Sequence, residues 1–299
     1  MDTRSKYQSF LVHYHAGVAR DLPTISPFVQ ELTRQSRTRI PSLAQLIRVF
    51  ETDPFLAAKL TGASNSVFFG HNHIDVLSVR EALTRVGLRY AMNLVWEAPP
   101  LPVGIEESEA GLLWAHCMTV AHVARSIAAK VSSAPFEPDV AHLVAMIHDI
   151  GYLLQLSYSP NTWSDIAARL DREELDADND PHASQGEELA KFWSLPTPVV
   201  AAIRAHHEPH CCPDVRGRWL STVVAASELL LHPADPMQLV SGDWRGDTLM
   251  KQLDVPRELL VTLRAEALDV REECIRLANL PRGATRVPHL ELMRTGGQG

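Results

Sequence analysis

Apolar positions along this chain recur every three or four residues and strict alternation is scarce, so the pattern predicts helices and very little strand. "PSLAQLIRVFETDP" places Leu43, Leu46, Ile47 and Phe50 on one stripe, with Pro41 suited to a helix start. In "DPFLAAKLTGASNSVFFG", Asp53 is positioned as a cap and Pro54 is tolerated in the first turn, while Leu56, Leu60 and Ala63 face inward. "VLSVREALTRVGLRYAMNLVWE" carries Val79, Leu83, Val86, Leu94 and Val95 at helical spacing, and Gly87 divides it into two helices. Residues 1–97 therefore read as a lobe of short helices. The Pro-containing acidic stretch "APPLPVGIEESEAG" reads as a linker over 98–111.

The same period continues through residues 112–280, which read as a second helical lobe. "GLLWAHCMTVAHVARSIAAKV" is a long helix with Leu113, Val120, Val123 and Ile127 on its stripe. "PDVAHLVAMIHDIGYLLQL" is apolar nearly all round, which predicts a central position. "PHASQGEELAKFWSL" begins with His182 near a helix N-terminus, "PTPVVAAIRAHHEPH" ends with His206 and His207, and "LSTVVAASELLLH" is another buried helix. Residues 281–299 read as a tail. The expected fold class is all-α, a two-lobed helical bundle.

The 299 residues, 45% apolar and 21% charged, are ordinary globular usage. The net charge of −8 is spread along the chain and argues against general affinity for nucleic acid, which needs a basic patch. It leaves room for a small phosphate ligand held by local Arg side chains. No apolar stretch reaches the ~20 residues of a membrane span, and the N-terminus has no signal-peptide pattern. Cys117, Cys211, Cys212 and Cys274 show neither disulfide nor zinc spacing, so a cytoplasmic, reducing setting is expected. Neither a Gly-rich phosphate loop nor a nucleophile elbow is found.

Fourteen histidines are present, and His116, His148, His182, His206 and His207 are read where helices meet loops. Imidazole and carboxylate together suit zinc, iron, manganese or nickel. Consecutive helical side chains point ~100° apart, so His148 and Asp149 can face one ion only where the helix ends or bends. Gly151 is read as that end. The same limit applies to His206 and His207, whose helix stops before Pro209; one is read as a ligand and the other as a packing or surface residue. In the competing metal-free reading, Asp149 caps backbone amides and pairs with His116 or His148. His71 and His73 read as a solvated turn, and His210, Cys211 and Cys212 as an accidental grouping without zinc spacing. Trp114, Trp193 and Phe192 read as core or lobe-interface anchors. Asn65 and Ser66 read as fixing a helix–turn through backbone hydrogen bonds.

"HDIG", preceded by a helix with His116 and followed by "PHASQGEELAKFW" and "HHE", resembles the HD superfamily of metal-dependent phosphohydrolases. "DPFLAAKLTGASNSVFFG" and "IDVLSVREALTRVGLRYAMNLV" resemble the signature of the HDOD domain, the HD-related output domain of bacterial signalling proteins. The resemblance implies an all-helical, two-lobed, HD-domain-like fold. It also implies a regulatory role, binding a protein partner or a small effector, more often than demonstrated catalysis. The implied cofactor is a divalent transition metal (Fe, Mn, Ni or Zn) or none. By the same resemblance, His116 is the first ligand and Asp149 of the His148–Asp149 pair bridges two metals. His182 and one or both of His206 and His207 serve the second metal. In an enzyme Asp149 would be the catalytic carboxylate of a centre that activates hydroxide.

The departures from the enzymes are specific. Leu112 stands where a subgroup has Glu, Tyr152 where a Lys contacts phosphate, and Ser227 near the position of a late Asp ligand. Glu228, beside it, is expected to point elsewhere on its helix. The sequence therefore predicts a signal-transduction output domain without efficient catalysis. The alternative is a metal-dependent phosphohydrolase acting on nucleotides or other phosphoesters. No receiver, kinase or cyclase pattern is read in the chain, so input is expected to arrive through a partner or effector.

Overall fold

Reciprocal bonds between Ser42 and Gln45 open the helix that follows residue 42 in the computed structural model of this chain. Ser42 Oγ accepts from the Gln45 backbone N–H at 3.3 Å, and Gln45 Oε1 accepts from the Ser42 N–H at 2.8 Å. The structure describes residues 23–29, 41–69, 74–98, 107–131, 134–158, 181–231 and 249–278, with Leu32 and Ile166 besides. Among them there is no strand. Helix α1 (Leu43–Phe50) buries Leu46 and Phe50, whereas Leu43 is half exposed and falls outside the buried stripe. Pro41 precedes the cap by one residue.

Asp53 caps α2 (Pro54–Asn65), its Oδ1 accepting from the Leu56 N–H at 2.8 Å. Its Oδ2 accepts from the Ser26 N–H at 3.2 Å, so one carboxylate also fastens the 23–29 segment. The first lobe closes with α3 (Val79–Val86) and α4 (Leu88–Trp96). Gly87 separates them at φ +81°, a conformation L side chains rarely adopt. Asn65 clamps the approach to α3: its amide N–H groups donate to Thr61 O and Val76 O, both at 2.9 Å, and its Oδ1 accepts from the Val76 N–H at 2.8 Å. Ser66 Oγ donates to Ala63 O at 2.6 Å. These are the backbone bonds expected of the pair.

The second lobe is arranged around α5 (Glu107–Lys130), against which α6 (Pro138–Ile147), α10 (Val215–Leu231) and α11 (Arg257–Ala278) all pack. Helix α5 starts inside the stretch read as linker, and Ala110 is fully buried. It is buried on most of its circumference, because Ala and Cys between the larger apolar residues let neighbours approach on several sides. Every residue of α6 from Val140 to Ile147 is buried, as its unbroken apolar character predicts. Helices α7 (Ile150–Tyr158), α8 (His182–Phe192) and α9 (Thr197–Ala205), with a 3₁₀ turn at Pro209–Cys211, belong to the same lobe.

The lobes share one apolar core. Phe55 of α2 meets Trp193 edge-on at 5.7 Å. A Cβ on Gly62 would lie 2.0 Å from the Trp193 carbonyl oxygen, so only glycine lets α2 approach this closely. Trp114 Nε1 donates to Thr52 O at 2.7 Å, and Phe28 packs on the same indole at 6.0 Å. Trp114 and Trp193 are thus the interface anchors expected, whereas Phe192 is 44% exposed. His71, His73 and residues 281–299 lie outside the described residues. No described helix is long and apolar enough to cross a membrane.

Burial pushes the Asp53 carboxyl up to about 6 from 3.8, although the backbone N–H groups of Leu56, Ser26, Ile25 and Phe55 pull it down. A carboxyl that holds its proton more tightly when folded contributes stability that is complete below pH about 4 and is lost as pH rises through about 6. Urea unfolding of wild type and Asp53→Asn, compared from pH 4 to 7.5, should therefore show wild type losing about 3 kcal/mol relative to the variant. A difference independent of pH would contradict this.

Candidate functional site

Helix α6 ends at Ile147, and His148 and Asp149 form the two-residue turn before α7. The break that two adjacent ligands require therefore falls on the pair itself. Gly151, read from sequence as the helix end, lies instead in the first turn of α7. Its reason is contact: a Cβ there would lie 2.0 Å from the His182 carbonyl oxygen, so glycine lets the start of α8 close against α7. His206 caps the C-terminus of α9, and His207 follows beyond the helix. His116 stands in the middle of α5, not at a helix–loop junction as its sequence context suggested.

Two backbone bonds aim the rings. His148 Nδ1 donates to Ala145 O at 2.6 Å and His206 Nδ1 donates to Ile203 O at 2.7 Å. A carbonyl can only accept, so each ring carries its proton on Nδ1 and turns Nε2 inward. Asp149 lies between two sets of nitrogens. Its Oδ2 is 3.3 Å from His148 Nε2 and 3.4 Å from His116 Nε2. Its Oδ1 is 3.2 Å from His182 Nε2 and 3.6 Å from His206 Nε2. His182 Nε2 is also 3.2 Å from His206 Nε2 and 2.9 Å from His207 Nε2.

Glu228 of α10 completes the first set. Its Oε1 lies 3.4 Å from His148 Nε2 and 3.9 Å from His116 Nε2. The expectation that it points elsewhere is overturned. Ser227, not Glu228, faces its own helix, its Oγ donating to Val223 O at 2.8 Å. The sequence did carry a signal: Glu228 is the lone acid in a buried apolar helix, and such a charge requires a partner. The division of His206 and His207 into one cluster member and one packing residue is likewise corrected, since both reach His182. Tyr152 is fully buried and stacks on His182, with ring centroids 4.3 Å apart and planes 13° from parallel. His210 and Cys211 are exposed and Cys212 is buried on its own backbone contacts, away from any such grouping.

Burial alone would favour neutral forms here. It pulls His148 down, but Asp149 and Glu228 together outweigh it and hold the imidazole well above its usual range. Asp149 would be pushed up by burial, yet His148 and the other imidazoles hold it well below the carboxylate range. Glu228, also opposed by burial, is held at about 2 by His148, His206 and His207. Burial, and then His207, keep His206 neutral. Without a metal, a proton on His148 thus meets the charge of Asp149.

The arrangement fits a divalent metal. Both oxygens of Asp149 and Nε2 of His148 are buried without a hydrogen bond. Ligands about 2.1 Å from a shared ion lie roughly 3.0–3.4 Å apart, which is close to the spacings above. His116, His148 and Glu228 form one group able to hold an ion, and His182, His206 and His207 form another. Asp149 presents one oxygen to each.

A family model described as HDOD domain matches residues 22–209. The chain is 25% identical over 219 residues to an uncharacterized protein of Treponema pallidum (strain Nichols), covering 69% of this chain and 42% of that one. The chain thus spans less than half the length of that curated relative. The fold is similar to that of the response regulator MmoQ of Methylococcus capsulatus str. Bath, with TM-score 0.61, 19% identity, and coverage of 82% of this chain and 98% of that chain. It is also similar to a virulence factor of Campylobacter jejuni subsp. jejuni, with TM-score 0.58, 18% identity, and coverage of 78% and 86%.

Gly151→Ala should lower the unfolding free energy by about 2 kcal/mol, because the added methyl meets backbone and α7 or α8 must shift. Urea denaturation followed by circular dichroism measures this, and unchanged stability would contradict the close-approach role.

Proposed function

We propose, from the premise that this chain belongs to the HDOD domain family, that it is a cytoplasmic output domain of bacterial signalling that holds a divalent-metal centre and acts on a protein partner or small effector. The observation that carries this reading is a ligand set gathered inside the core rather than in an open cleft. His148, Asp149, His182 and His206 are all but fully buried. The Tyr152 ring covers His182 at the position where the resembling enzymes carry a phosphate-contacting Lys. Such a centre is suited to holding helices in register more than to admitting a phosphoester.

One ion of the Fe, Mn, Ni or Zn class would take His116, His148, Asp149 and Glu228, and a second would take Asp149, His182, His206 and His207. When bound, such ions supply Lewis acidity and a bound hydroxide. The chain's own part is to fix the rings through Ala145 O and Ile203 O and to hold Asp149 ionised between them. The first lobe offers a face for a partner. Val67, Phe68 and Ile74 are 97%, 77% and 68% exposed. Ile74 also lines an open cavity of about 460 Å³, with Asp75, Val76, Arg80, Glu81 and Arg85.

A second reading, a metal-dependent phosphohydrolase, is favoured by Glu228, which supplies the late carboxylate expected to be missing. Two measurements separate the readings. Elemental analysis of purified protein should find a divalent transition metal, and Glu228→Gln should weaken its binding at least about tenfold. Bis(p-nitrophenyl) phosphate with added Mn²⁺ or Fe²⁺ should show no turnover above the metal alone. Sustained turnover abolished by Asp149→Ala would move the function to the second reading.

A further inference from the structure

The two helices that bring His116 and His148 to the cluster are fastened to two adjacent residues of the other lobe, Glu51 and Thr52. Glu51, Thr52 and Asp53 form the corner between α1 and α2. On α5, two residues before His116, Trp114 Nε1 donates to Thr52 O at 2.7 Å. On α6, His142 Nε2 donates to Glu51 O at 3.1 Å, about 9 Å of helix rise before His148. The Glu51 carboxylate meets Arg80 of α3 at 3.1 Å and Arg125 of α5 at 3.9 Å. Arg125 pairs with Asp139 of α6 at 2.9 Å, and Arg80 reaches the same carboxylate at 3.5 Å.

The corner is itself rigid. Thr52 Oγ1 donates to Arg48 O at 2.8 Å, and Asp53 caps α2 while accepting from Ser26. Thr52, Asp53, Trp114 and His142 are all buried. Arg80 also lines the first-lobe cavity. Packed helices move as units rather than deforming continuously, so a shift of α5 or α6 at the cluster must be felt where both are bonded to the corner.

We propose that the Glu51–Asp53 corner is a coupling element that links occupancy of the His116–His148–Asp149 cluster to the state of the first lobe and its Arg80 cavity. The proposal rests on the metal-centre reading. It names the regulation of that centre: an ion that draws α5 and α6 together tightens the corner, and a ligand that competes for Arg80 loosens it. Such linkage is reciprocal.

The test is hydrogen exchange on the whole chain with and without Mn²⁺ or Zn²⁺, alongside metal affinity by calorimetry. In wild type, metal should slow exchange at residues 51–65 and 79–86 by at least about threefold. Trp114→Phe, which keeps a ring and removes the N–H donor, should abolish that slowing and weaken metal binding about tenfold. Equal affinity in the two proteins with unchanged first-lobe exchange would overturn the coupling. Should neither ion bind wild type, the metal reading fails on its own account, and the coupling is judged on metal-free Asp149→Asn. Altered exchange at 51–65 in that variant supports it, and unaltered exchange overturns it. Should Trp114→Phe fail to fold by circular dichroism, Glu51→Gln takes its place with the same readouts and the same direction of effect.

Discussion

A negative charge placed at the centre of a helical core needs compensation on every side, and Asp149 is where this chain meets that demand. Unpaired, such a charge would cost more than the folding stability of a whole domain. Both of its oxygens are instead faced by imidazole nitrogens, one oxygen toward α5 and the α6–α7 turn, the other toward α8 and α9. Glu228 adds a second, partly buried carboxylate on the α5 side. A proton on His148 balances part of this negative charge. Divalent ions at the same positions would balance all of it, which is the physical ground for the proposed metal centre.

The surrounding fold follows from that requirement. Residues 116, 148, 182, 206 and 228 are remote in sequence, so five helices must end, turn or pass at one point. Several do so for a local reason. The turn at His148–Asp149 interrupts an otherwise continuous apolar run. Gly151 lets the start of α8 come into backbone contact. The chain leaves α9 at His206 and enters a 3₁₀ turn at Pro209. The first lobe then braces the two innermost helices through Trp114 and His142. A core shared between lobes is suited to passing strain from one to the other, as the proposed output role would require.

Much of this was legible in the sequence, for identifiable reasons. Helical periodicity, the Asp53 cap, the Gly87 break and the central place of α6 are local properties, and each stands as read. The histidines were found because imidazole is scarce in apolar runs and the HDIG resemblance set their register. Glu228 was misjudged because direction on a helix was inferred from its neighbour Ser227, whereas the rotation of α10 is set by its packing on α5, α6 and α9. The joint role of His206 and His207 depends on where α9 stops to within one residue, which periodicity does not fix. The bonds from Trp114 and His142 to the Glu51–Thr52 backbone span long stretches of sequence and leave no local signature.

In the proposed centre Asp149 would bridge two ion positions. Anomalous X-ray scattering from crystals grown with Mn²⁺ or Zn²⁺ and measured at the metal edge tests it directly. One peak is expected among His116, His148, Asp149 and Glu228 and a second among Asp149, His182, His206 and His207. Ordered water in place of both peaks, or metal bound only at surface histidines, would contradict it.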